Sequence, residues 1–334
     1  MLKVGVIGTG MIGQDHIRRL TTVLAGATVT AVTDVDADLA ERVGATAGAT
    51  VHATGEELIL DPAVDAVLVC SWGPSHKQYV LAAIAAGKPV FCEKPLATSE
   101  DACRNIVAAE VAHGSRLVQV GYMRRYDPAY RDLKAVVDSG RIGAPLMMHC
   151  AHRNAGVPDF YQKENTITDS AVHEIDMARW MFGEEIVATR VLLPRGNRNG
   201  GDLADPIFLL LELESGALVD VEVSVNIRYG YDIRGEVVGE DGTATLSSPV
   251  PVVVRSAGEE SVPVAADWRL RFARAYDIEL QEWVDAVTRG AATGPTAWDG
   301  YAAAVVSDAS VAALRTGERV AVSLMPRPDL YNAG

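Results

Sequence analysis

The stretch VIGTGMIG, residues 6–13, decides the fold. It connects a short apolar strand, KVGVI, to a helical stretch, GQDHIRRLTTVL, and its glycines follow the pattern G-x-G-x-x-G. In such a turn Gly8 permits the tight bend, Gly10 lets a pyrophosphate approach the backbone, and Gly13 allows the helix to pack closely on the strand. The helix N-terminus offers oriented N–H groups to the phosphates. The predicted dinucleotide contacts in this turn are Gly8, Thr9, Gly10, Met11, Ile12 and Gly13.

An acidic residue follows at the position that selects the nucleotide. The second apolar strand, TVTAVT, ends at Asp34, about twenty residues beyond the glycines. A carboxylate there accepts hydrogen bonds from the adenosine ribose hydroxyls and repels a 2′-phosphate. Because no arginine follows Asp34 directly, the sequence favours NAD over NADP. A solvated turn residue is the alternative interpretation of Asp34.

The order of the remaining elements predicts two domains. In the first part, near-continuous apolar strands alternate with helical stretches, which is typical of a parallel sheet covered on both faces. Later, ALVDVEVSVNI alternates valines with polar residues, which is typical of an antiparallel strand with one covered face. We therefore expect an α/β Rossmann domain that binds NAD over residues 1–122. An α+β domain with a mostly antiparallel, open-faced sheet, serving substrate binding and oligomerisation, is expected over residues 123–334.

The net charge, the apolar runs and the cysteine content of the chain argue against several classes of function. The 334-residue chain has a net charge of −14 and no long run of lysine and arginine, which argues against a nucleic-acid partner. No apolar run is long enough to cross a bilayer, and no cationic leader precedes the first strand, so we expect a cytoplasmic protein without a membrane partner. The four cysteines form no CxxC pair, so we expect buried, reduced thiols and no metal site.

A lysine stands at the end of one predicted strand. In FCEKPLATSE, residues 91–100, the apolar strand ends with Glu93 and Lys94, and Pro95 follows. The Lys94–Pro95 bond is of the type that tolerates the cis form. A lysine held there suits a role at the sheet edge, and a lysine that only caps the strand is the alternative interpretation.

A histidine and two carboxylates share a later stretch. In DSAVHEIDMARW, residues 169–180, Asp169, His173 and Asp176 have spacings that place them on one face of a helix. A carboxylate one turn from an imidazole holds its tautomer and stabilises its protonated form, as a general base near neutral pH requires. A charged helix surface is the alternative interpretation. The stretch lacks the HExxH pattern, so a metal site is not indicated.

These motifs, in this order and spacing, amount to a resemblance. VIGTGMIG, FCEKPLAT and VHEIDMARW, with LVQVGYMRRYD and VGEDG elsewhere in the chain, resemble the family of glucose–fructose oxidoreductase and inositol dehydrogenase. The resemblance covers nearly the whole chain and implies NAD-dependent oxidation of myo-inositol to 2-keto-myo-inositol. It implies that His173 takes the hydroxyl proton, that Asp169 orients His173, and that Lys94 hydrogen-bonds the reacting oxygen. It also implies a homotetramer.

Further residues are expected to contact the two ligands. The additional cofactor contacts are Ser71, Trp72 and His76, which the resemblance implies, and Glu93, Lys94, Arg124 and Tyr276. An uncharged polyol needs neutral and carboxylate hydrogen-bonding partners rather than an arginine clamp for an acid. The expected substrate contacts are Lys94, Arg124, His152, Asn154, Asp169, His173, Asp176 and Tyr231. Core packing is the alternative for Trp72 and Tyr276, and a surface position is the alternative for Arg124.

Three other functions stay open at this point. The same chemistry on scyllo-inositol or on a hexose such as glucose differs only in the shape of the pocket. A non-catalytic NAD-binding regulatory protein is compatible with the same fold, although Lys94, Asp169 and His173 argue against it. An NAD-dependent glycosidase oxidises its substrate only transiently, so net NADH formation separates it from a dehydrogenase.

Overall fold

The computed structural model describes residues 1–247 and 252–332 and divides the chain into two compact units. Each unit has its own sheet. The first unit comprises Met1–Tyr122, Tyr276–Ala304 and the segment from Leu324, and the second comprises Met123–Ala275 and Val305–Ser323.

A six-stranded parallel sheet forms the centre of the first unit. Its elements are β1 Leu2–Ile7, α1 Met11–Thr22, β2 Ala27–Thr33, α2 Ala37–Ala47, β3 Thr50–Val51, α3 Gly55–Leu60, β4 Ala66–Val69, α4 Gly73–Ala85, β5 Val90–Glu93, α5 Glu100–His113 and β6 Val118–Gly121. The strands lie in the order β3-β2-β1-β4-β5-β6, and all neighbours pair in parallel. This arrangement confirms the predicted Rossmann α/β fold.

The sheet of the first unit is buried because its strands are apolar throughout. Val6, Leu68 and Phe91, on three neighbouring strands, are fully buried. Leu20 on α1 packs into the same core, as does Trp283, whose ring meets Phe91 edge-on at 5.8 Å between centroids. Strands with no polar alternation leave no face for water, so helices must cover both faces.

The second unit is built around a seven-stranded mixed sheet. Its elements are a 3₁₀ helix at Met123–Tyr126, α6 Pro128–Asp138, β7 Pro145–Arg153, a π-helix at Thr166–Ala171, α7 Val172–Phe182, β8 Ile186–Leu192, β9 Ile207–Leu213, β10 Leu218–Ser224, β11 Asp232–Gly239, β12 Thr243–Thr245, β13 Val254–Ser256, β14 Glu259–Ser261 and β15 Val320–Ala321. Two long helices, α8 Trp268–Thr288 and α9 Ala297–Thr316, contribute residues to both units, and a 3₁₀ helix at Asp329–Tyr331 ends the first. The large sheet has the order β12-β11-β7-β10-β9-β8-β15, and β13 pairs separately with β14.

The strand pairing of the large sheet follows the predicted pattern with one exception. All neighbours are antiparallel except β7 and β10, which pair in parallel. On β10, Val219, Val221 and Val223 are fully buried, whereas Asp220 and Glu222 on the opposite face are partly exposed. The mostly antiparallel sheet with one covered face is therefore confirmed.

The structure also bears on the expectations drawn from composition. Cys70, Cys92, Cys103 and Cys150 are free and buried, as predicted, and burial raises the pKa of the Cys70, Cys92 and Cys150 thiols. Within the described ranges, no cluster of three or more His, Cys, Asp or Glu side chains is arranged to bind a metal ion. Among the same residues, no helix has the length and hydropathy needed to cross a bilayer.

A buried carboxylate fastens the last segment of the chain to the first unit. Glu110 on α5 is fully buried, and its Oε1 accepts the backbone N–H groups of Leu117 and Val118 at 2.6 Å each. The hydroxyl of Tyr331 donates to Oε2 of the same carboxylate at 2.6 Å. A buried carboxylate is tolerated only when its oxygens are bonded in this way.

Replacing Tyr331 tests this anchor. We expect Tyr331→Phe to lower the free energy of unfolding by about 1–3 kcal/mol, because Oε2 of Glu110 then lacks its donor inside the protein. The matched control is Tyr229→Phe, whose hydroxyl also binds a carboxylate, Asp232, but whose side chain is 49% exposed so that water replaces the lost bond. Thermal or urea unfolding followed by circular dichroism measures both variants. Equal, small losses would contradict the anchoring role of Tyr331.

Candidate active site

The turn between β1 and α1 has the geometry that a pyrophosphate needs. Gly8 has a φ of +95°, and a Cβ at this position would lie 2.5 Å from the backbone nitrogen of Ser71. A Cβ on Gly13 would lie 2.0 Å from the carbonyl oxygen of Gly8, whereas one on Gly10 would meet nothing within 4 Å. The first and third glycines are therefore required by the turn itself. The space beside Gly10, the residue that precedes α1, is open to a phosphate at the helix N-terminus.

Hydrogen bonds fix Asp34 to this turn. Its Oδ2 accepts the Thr9 backbone N–H at 2.5 Å and the Thr9 hydroxyl at 3.1 Å. Its Oδ1 accepts the backbone N–H of Asp36 at 3.0 Å. The carboxylate is thus held at the end of β2, in the position that the sequence assigns to ribose recognition. The structure gives Asp34 a structural partner as well, so Asp34 is more than a solvated turn residue.

Parallel register brings the ends of three strands to one edge of the first sheet. Ile7 of β1 pairs with Val69 of β4, and Val69 pairs with Cys92 of β5. The loops that follow these strands begin side by side at the carboxyl edge, where ligands bind in this class of fold. Met11 and Trp72 are 64% and 82% exposed there, so the core interpretation of Trp72 is wrong. The predicted cofactor residues at this edge are Gly8, Thr9, Gly10, Met11, Ile12, Gly13, Asp34, Ser71, Trp72, Glu93 and Lys94.

His76 ties two of these loops together. Its Nδ1 lies 2.7 Å from the carbonyl oxygen of Pro95 and 3.4 Å from the sulfur of Cys92, and its Nε2 lies 2.8 Å from the carbonyl oxygen of Ser71. The ring is 1% exposed, and its burial lowers the pKa of His76. The Lys94–Pro95 bond is cis. His76 therefore fastens the loop that carries Lys94, while direct contact between His76 and the cofactor stays a prediction.

A buried pair lies directly behind the loop of Lys94. Oε1 of Glu93 is 2.7 Å from Nε2 of His16, and Oε2 accepts the backbone N–H of Lys94 at 3.2 Å. The His16 ring packs against Tyr276 at 5.6 Å between centroids, and the guanidinium of Arg19 lies over the same Tyr276 ring at 5.0 Å. Tyr276 is 5% exposed. The carboxylate of Glu93 thus has a protein partner, and cofactor contact by Glu93 and Tyr276 stays a prediction.

The stretch that carries Asp169 and His173 is not one regular α-helix. Thr166–Ala171 is π-helical, and α7 begins only at Val172. Asp169 lies in the π-helical turn and is exposed, whereas His173 lies in the first turn of α7 and is 7% exposed. The assumption of regular α-helical spacing from Asp169 onward is therefore wrong, because a π-helical turn holds more residues. Such insertions occur frequently at functional sites.

Asn154 and Asp176, two predicted hydroxyl ligands, already have partners within the second unit. The Asn154 side-chain amide lies 3.5 Å from the hydroxyl of Ser170 in the π-helix. Asp176 is 1% exposed, and Arg125 donates to both of its oxygens, from Nε at 3.0 Å and from a terminal nitrogen at 2.5 Å. A bidentate pair of this kind fixes the orientation of the carboxylate.

Arg124 and His152 belong to one buried cluster with Glu174. One terminal nitrogen of Arg124 binds Oε1 of Glu174, and the other lies 3.1 Å from Nδ1 of His152. The same Nδ1 lies 2.9 Å from Oε2 of Glu174. All three side chains are at most 3% exposed, so the surface interpretation of Arg124 is wrong. Tyr231 packs edge-on against the His152 ring at 5.8 Å.

Sequence reasoning missed three residues that hold these groups, His16, Arg125 and Glu174. Glu174 is the clearest case, since the side chains from Val172 to Arg179 are all buried. A charge inside such a run requires a partner, and its position next to His173 was the available signal. The partner itself lies 50 residues away at Arg124, a separation that no local pattern reveals.

Family models match both parts of the chain. The model described as the NAD-binding Rossmann fold of an oxidoreductase family, GFO_IDH_MocA, matches residues 2–122. The model for the C-terminal alpha/beta domain of that oxidoreductase family matches residues 134–322. The two matches account for most of the chain.

Relatives and a solved structure are similar over nearly the full length. The chain is 55% identical to inositol 2-dehydrogenase of Ralstonia nicotianae over 99% of both chains. It is 56% identical to inositol 2-dehydrogenase 3 of Saccharopolyspora erythraea over 99% of this chain and 98% of that one. The crystal structure of myo-inositol dehydrogenase from Lactobacillus casei, in complex with NAD(H) and myo-inositol, superposes with a TM-score of 0.97 at 38% identity over 99% of each chain.

The position of Asp34 generates a test of cofactor choice. We expect Asp34→Asn to lower the preference for NAD over NADP by about tenfold or more, because the charge that repels the 2′-phosphate is removed. The amide oxygen still accepts the Thr9 N–H, whereas the amide NH₂ replaces the oxygen that accepts the Asp36 N–H, so thermal unfolding is measured to check the turn. Steady-state kcat/KM with each cofactor measures the ratio. The matched control, Thr9→Val, removes only the hydroxyl bond and should weaken both cofactors alike; an unchanged ratio in Asp34→Asn would reject the ribose assignment.

Proposed function

The chain belongs to the GFO_IDH_MocA oxidoreductase family, and on that premise we propose that it oxidises myo-inositol to 2-keto-myo-inositol with NAD as the hydride acceptor. The observation that carries this proposal is the near-full-length identity to proteins named inositol 2-dehydrogenase. The site agrees with it, since the second unit presents hydroxyl, amide, imidazole and carboxylate groups suited to an uncharged polyol.

The first unit fits the cofactor. The open space beside Gly10 suits the pyrophosphate, and the fixed carboxylate of Asp34 suits the ribose hydroxyls. When bound, NAD accepts the hydride from the carbinol carbon of the polyol. We assign the remaining cofactor contacts to Thr9, Met11, Ile12, Ser71, Trp72 and Lys94.

His173 is the general base in this proposal. As the hydride leaves the carbinol carbon, the hydroxyl proton passes to the imidazole, so that carbon and oxygen together become a ketone. Asp169 orients the ring and stabilises the imidazolium that forms. Lys94 hydrogen-bonds the reacting oxygen and favours the negative charge that develops on it. Proton transfer by a positioned base contributes on the order of 10² to 10⁴ in rate.

The remaining hydroxyls are assigned to the polar groups of the second unit. Asn154 offers an amide, and Asp176, held by Arg125, offers carboxylate lone pairs. His152 offers an imidazole, and Tyr231 packs beside it. Arg124 contributes through the cluster that it forms with Glu174 and His152. A site in which each hydroxyl meets a fixed partner rejects isomers that leave a partner unpaired.

We also propose a cytoplasmic homotetramer. Phe208 and Leu210 are partly exposed on the face of β9 opposite its buried residues, next to Asp220 and Glu222 of β10, and this mixed apolar and charged surface is suited to contact with a second copy of the chain. Four buried, reduced cysteines agree with a reducing compartment. Light scattering coupled to size-exclusion chromatography should give four times the chain mass of 35.5 kDa.

The reaction itself is tested by NADH formation. We expect absorbance of NADH to rise with myo-inositol and NAD, with lower kcat/KM for scyllo-inositol and glucose. The screen uses each polyol with each of the two nicotinamide cofactors. A hexose that exceeds myo-inositol in kcat/KM would replace the substrate assignment, and no NADH with any polyol would reject the dehydrogenase activity.

Replacement of the proposed base gives a second test. His173→Ala should lower kcat by about 10² to 10⁴, because proton transfer from the hydroxyl then lacks its acceptor. The affinity for NAD, measured by titration of tryptophan fluorescence, should stay unchanged because the glycine-rich turn is intact. Full turnover in the variant would remove His173 from the mechanism. His113→Ala serves as the control, since this exposed histidine at the end of α5 bonds only to Ser115 among the hydrogen bonds described.

A further inference from the structure

We propose that Glu174 is a positioning residue that fixes His152 as the tautomer protonated at Nδ1, so that Nε2 accepts a hydrogen bond from a substrate hydroxyl. Glu174 follows His173 within the buried run of α7, and its contacts in the second unit suggest the role. The inference rests on the proposed function, because the hydroxyl in question belongs to the polyol.

The geometry places a carboxylate directly against one ring nitrogen. Glu174 follows His173 on α7 and is 2% exposed, and its Oε2 lies 2.9 Å from Nδ1 of His152 on β7. The other oxygen of Glu174 is bound by Arg124, which is 1% exposed. The carboxylate therefore bridges a guanidinium and an imidazole inside the core of the unit.

The charge of Glu174 bears on which nitrogen of His152 carries the proton. Burial alone would raise the pKa of Glu174, but the charge of Arg124, the electrostatic attraction of His152 and the hydrogen bonds from both side chains hold it below its usual value. Glu174 is thus ionised at neutral pH and can only accept hydrogen bonds. Two groups face Nδ1 of His152: the Glu174 carboxylate at 2.9 Å, which only accepts, and a terminal nitrogen of Arg124 at 3.1 Å, which only donates. We assign the ring proton to the shorter of the two contacts, so that Nδ1–H donates to Glu174, while the other terminal nitrogen of Arg124 donates to the second oxygen of Glu174. The positive charge of Arg124 balances the negative charge of Glu174 within the buried cluster.

The consequence falls on the opposite ring nitrogen. A neutral imidazole with its proton on Nδ1 has a lone pair on Nε2. Within the described part of the chain, the polar contacts of His152 are made at Nδ1, and none is made at Nε2. The ring is held by Tyr231 at 5.8 Å and lies 6.3 Å from the ring of the proposed base, His173, between centroids. An acceptor is thereby available close to the reacting hydroxyl.

This arrangement makes Glu174 a determinant of substrate choice. A fixed acceptor at Nε2 raises kcat/KM for a polyol that has a hydroxyl at the matching ring position and lowers it for an isomer that lacks this hydroxyl. Without the carboxylate, the imidazole is free to protonate Nε2 instead, and that nitrogen becomes a donor. Both tautomers still bind a hydroxyl, but the preference for its orientation is lost.

A competing explanation is that Glu174 only neutralises the buried Arg124. In that case the loss of Glu174 would affect folding, and its effect on substrate kinetics would be the same whether or not His152 is present. The two explanations are separated by a double-mutant cycle of Glu174→Gln and His152→Asn, measured with myo-inositol and scyllo-inositol. NAD affinity and thermal unfolding are measured for every variant.

We expect Glu174→Gln to lower kcat/KM for myo-inositol by about 10- to 100-fold, the size of one hydrogen bond made to a buried polar partner. The ratio of kcat/KM between the two inositols should fall as well, while NAD affinity stays within about twofold. In the His152→Asn background, the effect of Glu174→Gln should shrink to about twofold or less. Additive losses, or an unchanged isomer ratio in Glu174→Gln, would overturn the proposal.

The wild-type protein provides a test that does not depend on a stable variant. With ¹⁵N-labelled histidine, NMR of the intact enzyme reports which nitrogen of each neutral ring carries the proton, and His152→Asn identifies the signal. We expect protonated Nδ1 and unprotonated Nε2 for His152 at neutral pH. The reverse tautomer would overturn the proposal even if the enzyme is active, whereas the expected tautomer in a protein that oxidises no polyol would leave the positioning intact and reject only the proposed function.

Discussion

Parallel strand register is the constraint on which the ligand-binding edge of the first unit depends. Because β1, β4 and β5 run in the same direction and end together, the glycine-rich turn, the Ser71 loop and the Lys94 loop must begin at one edge of the sheet. Backbone hydrogen bonding between the strands is thus enough to bring residues more than 80 positions apart in the sequence to one edge of the sheet. The side chains behind this edge, His76 and the His16–Glu93 pair, then fix the loops.

In the second unit, buried ion pairs position the predicted site residues, whereas in the first unit the register of the backbone strands positions them. Arg124 with Glu174 and Arg125 with Asp176 place two ion pairs, on adjacent positions of the 3₁₀ helix, against α7. Removing a charge from water is costly unless the partner and the hydrogen bonds are well placed. Such pairs therefore allow few alternative arrangements, and the Arg124–Glu174 pair holds the His152 side chain in one orientation. The same low-dielectric setting that makes the pairs costly to break makes their hydrogen bonds directional.

The sequence predicts those parts of the molecule that are local. The Gly8–Gly13 turn, the apolar strands and the alternation of β10 each depend on residues within one element, and the structure confirms them. The parallel pairing of β7 with β10 joins strands about 70 residues apart, so alternation within β10 does not reveal it. Pairs such as His16–Glu93, 77 residues apart, escape for the same reason. The π-helical turn before α7 depends on hydrogen-bond geometry, which residue spacing does not reveal. The predicted roles of individual site residues came from the resemblance to a family and not from residue spacing.

The central claim is that hydride passes directly from a carbinol carbon of inositol to NAD. It is tested most directly with myo-inositol deuterated at C2, followed by mass spectrometry of the reduced cofactor. If hydride passes directly, the NADH formed carries the deuterium, and turnover is slower than with unlabelled substrate where hydride transfer limits the rate. NADH formed without deuterium, or deuterium released to water, would contradict it.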